Sequence, residues 1–145
     1  MLAVFQDTGS EKVALFLHIL GAVVLFGGTV AVATLAWAGV RLPDRPLLPR
    51  ASFRTLLALV IPAWIVMRIG AGWIESAEDI EGDPTWIGIG FIVAEPGLLI
   101  LLLATGFAFW WSRRPTGWQG RVVAGLATLY VAALAVAWWA MSTKP

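Results

Sequence analysis

From residue 13 to residue 40 the side chains are apolar or small, with one ionisable interruption, His18. Three later stretches repeat the pattern: 55–74 is broken only by Arg68, and 86–111 only by Glu95. The fourth, 122–142, carries no charge, and Tyr130 is its one weakly ionisable group. Each run reaches the ~20 residues that cross a hydrocarbon core about 30 Å thick. A backbone in lipid must satisfy its own hydrogen bonds, so such runs are helices. The two-residue alternation of a membrane barrel is absent. Short connections make neighbouring helices antiparallel. The pattern predicts an all-α membrane protein with four transmembrane helices in an up-and-down antiparallel bundle. Its spans lie at about 13–40, 55–74, 86–111 and 122–142 of a single domain covering 1–145.

Composition agrees and narrows the function classes. The chain has 145 residues, of which 59% are hydrophobic and only 13% charged. Soluble domains average about 25% charged residues, so this one lacks the charge to clothe a globule. Mean hydropathy is +0.83. There is no cysteine, which excludes disulfides, iron–sulfur clusters and thiolate zinc sites. A net charge of +1 offers no basic field for nucleic acid. The opening MLAVFQDTGSE has no basic segment, and Asp7 and Glu11 precede the apolar run, so that run reads as a span and not as a cleaved signal peptide.

The charges outside the runs set an orientation. Arg41, Arg45, Arg50 and Arg54 fall in the first connection with Asp44 as the lone acid, and Arg113, Arg114 and Arg121 fall in the third. The second connection holds Glu75, Glu78, Asp79, Glu81 and Asp83 with no base. The positive-inside rule then puts the arginine loops in the cytoplasm and both termini outside. Tryptophans 73, 86, 110, 111, 118, 138 and 139 gather at span ends, where most are expected to anchor at the lipid interface.

Three polar residues remain that topology does not explain. His18 lies seven residues from Glu11, Arg68 seven from Glu75, and Glu95 nine from Trp86. At 1.5 Å per residue that is roughly 10–14 Å below the outer boundary, one layer shared by three helices. An ionisable group in hydrocarbon is costly and points to a site or a partner. Arg68 and Glu95 form a natural neutral pair, either a packing clamp or part of a site.

The helical faces around that layer suggest a cavity. His18, Gly21, Leu25 and Gly28 or Thr29 share one face. Gly21 there permits a close helix approach or a flat ligand against the backbone. Trp64, Arg68, Ala71 or Gly72, and Glu75 line up on the second helix, and Gly88, Glu95, Leu99 and Gly106 on the third. Tyr130, Ala137, Trp138 and Met141 are expected to close the wall. Pro62 and Pro96 free the carbonyls of Ala58 and Ile92, and Pro96 predicts a kink.

The expected binding set is thus His18, Arg68, Glu95, Gly21, Trp64, Gly72 and Tyr130. No nucleophile–base pair, phosphate loop or HExxH motif is present. One histidine supplies one axial ligand to a haem, making haem b the first cofactor to consider and His18 the metal ligand. Arg68 suits a propionate or another anion, so the expected partner besides the lipid bilayer is a hydrophobic or anionic small ligand: haem, quinone or another flat molecule. Glu95 and His18 equally suit a proton-coupled carrier or channel. The third alternative is a structural accessory subunit. Four helices enclose little volume and leave glycine-bearing faces open, so a homodimer is expected.

The string LHILGAVVLFGG at 17–28 resembles the opening of several small bacterial membrane families. They are uncharacterised four-span integral membrane proteins, CopD-like copper-resistance proteins and HemJ-type protoporphyrinogen oxidases. EPGLL at 95–99 and WAMSTKP at 139–145 resemble the first group. The HemJ-type resemblance implies a haem-linked histidine at His18; where those enzymes carry a lysine on the third helix, this chain has Glu95. The CopD-like resemblance implies copper handled by His18 with Met67 or Met141.

Overall fold

The computed structural model describes residues 9–77, 85–114 and 117–143. Helix α1 spans Gly9–Arg41, α2 Leu47–Thr55, α3 Ile61–Ala77, α4 Thr85–Arg113 and α5 Gly117–Ser142. A π-helical turn, Leu56–Val60, joins α2 to α3. No strand occurs among the described residues. Four helical stretches are long and apolar enough to cross a membrane: Gly9–Arg41, Leu47–Ser76, Ile92–Arg113 and Gly117–Ser142. They run up and down, so one end of the bundle carries Gly9, Ala77, Thr85 and Ser142, and the other carries the arginines. We call these the terminal end and the arginine end.

The first connection differs from expectation. Residues 41–54 read as a loop because of their arginines and prolines, yet only 42–46 leave helical geometry. Pro46 sits at the N-cap of α2 with φ −65°, and Pro49 falls in the first turn, where no backbone donor is needed. Arg50 and Arg54 are therefore exposed side chains on a helix. The helix then widens. The N–H of Ile61 donates to the carbonyl of Leu56, five residues back, just before Pro62. A widened turn gives the proline ring room that an α-turn denies it. At Pro96 α4 runs on unbroken from Thr85 to Arg113.

The helices pack unevenly. The α1–α3, α4–α5 and α1–α5 faces are extensive, whereas α3 and α4 barely meet. Glycine explains the tightest face. A Cβ on Gly21 would lie 2.5 Å from the nitrogen of Met67, and one on Gly70 would lie 2.6 Å from the nitrogen of His18. The two glycines face opposite ways across α1 and α3, so the backbones touch directly. At the arginine end Trp111 fills a slot whose walls are Gly39 of α1 and Gly120 of α5, where a Cβ would strike the indole. Trp111 is 3% exposed, which corrects its expected role as an interface anchor. Trp73, Trp110, Trp118, Trp138 and Trp139 are exposed, as interface residues are.

Apolar side chains also cover the outside of the bundle, including Phe16, Ile69, Ile92, Leu99 and Leu129. That is the surface a lipid-facing helix needs. Hydroxyls are satisfied locally: Thr29, Thr105 and Thr128 each donate to the carbonyl four residues back. Thr128 also accepts from the Trp37 indole at 3.0 Å, tying α1 to α5.

Candidate functional site

Where α3 and α4 diverge, the terminal half of the bundle carries an open-sided cavity of about 590 Å³. All four spans contribute to it. Leu15, His18, Ala22 and Phe26 come from α1, and Met67, Arg68, Ala71 and Glu75 from α3. Gly90, Val93 and Ala94 come from α4, with Leu134, Ala137, Trp138 and Met141 from α5. This volume lies in the range of small-molecule sites, which are apolar with a few placed polar groups.

His18 is held in a defined way. Its Nδ1 lies 3.1 Å from the carbonyl oxygen of Met67. A carbonyl only accepts, so Nδ1 carries the proton and donates. In the neutral ring Nε2 is then the unprotonated nitrogen, with its lone pair available. The contact exists because Gly21 and Gly70 bring α1 and α3 close enough for the imidazole to reach the next helix. Fixing one ring nitrogen through a backbone carbonyl is how proteins aim the other at a ligand.

Arg68 spans the seam between α3 and α4. Its Nε and Nη2 both lie 3.2 Å from Glu95 Oε1. Arg68 is 30% exposed and lines the cavity, whereas Glu95 is 61% exposed and does not. One turn away the Trp64 indole donates to the Ala94 carbonyl at 3.0 Å. These two contacts cross a seam with little other packing.

The structure divides the residues expected at the site. His18 and Arg68 reach the cavity wall, and Glu95 is joined to it through Arg68. Gly21 is covered by the backbone of Met67 and presents no open face, so of its two expected uses the close approach is the one seen. Trp64 braces α4, and Gly72 lies off the wall near Arg68 Nη1. Tyr130 is fully buried against Gly97 and does not line the cavity; its hydroxyl finds no partner among the described residues. On α4 the expected face was wrong. Glu95, Leu99 and Gly106 face outward, and Gly90, Val93 and Ala94 form the wall instead. Ala137, Trp138 and Met141 take the places expected of them.

No protein family, curated protein or solved structure matches this chain. The site must speak through its geometry. That geometry contains one aimed imidazole in an apolar chamber and one shared cation beside it. Phe26 and Trp138, in edge-to-face contact with centroids 5.9 Å apart, make an aromatic corner of the wall. Among the described residues no cluster of three metal-ligating side chains occurs, so the chamber offers a lone ligand and not a closed metal cage.

Proposed function

We propose that this chain is a multi-pass protein of a bacterial inner membrane that holds a flat lipid-soluble ligand, a haem or a quinone-type ring, in the cavity between its four helices. The observation that carries the reading is the Nδ1 contact of His18 with Met67, which leaves Nε2 of the neutral ring as the acceptor on a cavity wall. An acceptor lone pair on an apolar cavity wall suits a hydrogen-bond donor or a metal centre, and a ligand supplies one. His18 contacts the ligand, Arg68 orients its polar side, and Glu95 offsets the charge of Arg68. The divergence of α3 and α4 gives such a ligand a side route from the lipid.

Two measurements test this. Protein purified in detergent without added haem is examined for a Soret band, and its organic extract is analysed by mass spectrometry for quinones. Either ligand at near-stoichiometric amount, lost in His18→Leu, supports the reading; neither being retained, even after reconstitution with each, overturns it. The arginine distribution favours a cytoplasmic arginine end under the positive-inside rule. Because the chain has no cysteine, single cysteines at Asp44 and Ser142 report this directly. An impermeant thiol reagent applied to spheroplasts should label the second and spare the first.

A further inference from the structure

We infer that the ligand group held against His18 is a hydroxyl on an uncharged ring, so that the site takes the quinol form of a quinone-type molecule in preference to the quinone or to haem. The inference rests on the reading of the cavity as a site for a flat lipid-soluble ligand.

Hydrogen-bond polarity comes first. The Met67 carbonyl fixes the proton on Nδ1, so the neutral ring offers an acceptor at Nε2 and no donor. A quinone presents only carbonyl acceptors and would face that lone pair with its own. A quinol presents O–H donors and completes the bond. The other ionisable and hydroxyl side chains on the wall are Arg68, Glu75 and Ser142. Of these, Glu75 is a second acceptor, and Arg68 directs its Nε and Nη2 to Glu95 while its remaining N–H groups stay on the wall beside the ligand. The cavity therefore offers acceptors on two of its helices, α1 and α3, which suits a ring with two hydroxyls.

Charge decides against haem. Arg68 is paired with Glu95 across the seam, and Glu75 lies two turns further along α3 on the same wall. One cation against two anions repels the two propionates of a haem and leaves a neutral ring unopposed. The aromatic corner of Phe26 and Trp138 offers that ring edge and face contacts.

The test is equilibrium binding in nanodiscs of a decyl-substituted benzoquinol, the matching benzoquinone and haemin, with empty nanodiscs subtracted for partition into lipid. The expected result is quinol binding at least tenfold tighter than quinone, with the discrimination lost in His18→Leu. The wild-type comparison stands by itself should that variant fold poorly. Equal affinities, or a preference for quinone, overturn the inference and leave the flat-ligand reading in place. Haemin binding without quinol binding does the same. Binding of none of the three overturns both.

Discussion

Alanine at Gly21 is the sharpest perturbation the fold offers. Its Cβ would lie 2.5 Å from the nitrogen of Met67, 2.7 Å from its Cα and 2.9 Å from the oxygen of Ala63. All three are backbone atoms of a helix, so no rotamer change relieves them. Restoring ordinary contact near 3.4 Å requires α1 and α3 to part by about 0.9 Å. Overpacking of this kind costs about 1–3 kcal/mol, while alanine in place of glycine returns about 0.5–1 kcal/mol of backbone entropy. A net loss of roughly 1–2 kcal/mol follows, against a gain at Gly27 or Gly125, where a Cβ meets nothing within 4 Å. The same movement stretches the His18 contact with Met67 from 3.1 Å beyond hydrogen-bonding range. Gly70→Ala demands the same separation, since its Cβ would meet His18 and Ala14 backbone. The double variant should therefore lose less than the sum of the singles. Reversible unfolding in mixed micelles measures each value. If Gly21→Ala matches Gly27→Ala, or the two glycine losses add fully, the direct-contact account of the α1–α3 face is refuted.

Other expectations are as direct. Arg68→Met should leave Glu95 without its guanidinium partner close to the span end, a destabilisation below the ~2.5–3.5 kcal/mol of a charge at a helix centre; Arg68→Met with Glu95→Leu should unfold later than either single variant in the same micelle titration. Trp111→Ala empties the slot between Gly39 and Gly120 and should cost about 3–5 kcal/mol, whereas Trp139→Ala, at a residue 67% exposed, should cost far less by thermal melting. Tyr130→Phe removes a buried hydroxyl with no partner among the described residues and should raise stability by about 1 kcal/mol. A loss on that substitution would mean the hydroxyl has an unseen partner.

Much of the fold could be read from where charge stops. Uninterrupted apolar runs leave a chain few choices in lipid, so four helices and their order followed from the sequence. The pairing of Arg68 with Glu95 was legible for a related reason: two opposite charges inside apolar runs of neighbouring spans attract each other. The helical stretch through Arg50 and Arg54 was not, because charge and proline mask a helix that begins at a proline cap. The wall of α4 was misjudged because the one charged residue of its apolar run, Glu95, was assumed to point inward. Arg68 is long enough to reach a carboxylate beyond the seam, so Glu95 can face outward and still be paired. Trp111 belongs to a motif split over Gly39 and Gly120, distant in sequence. The imidazole tautomer needed a structure as well, since nothing along the chain announces the carbonyl of Met67 as its acceptor.

The uneven packing also bears on how the molecule is made. The first three helices form one hairpin, zipped where Gly21 meets Met67 and Gly70 meets His18, and the last two form another, seated where Tyr130 meets Gly97 and Trp111 meets Gly120. Each hairpin has close contacts of its own, and Trp111 against Gly39 with the α1–α5 face joins the two. The cavity belongs to neither. It arises only when the two hairpins dock: the imidazole is aimed within the first hairpin, and its chamber is completed by assembly inside the membrane. Two separately expressed halves, divided between Ala77 and Thr85, carry everything needed to rebuild it.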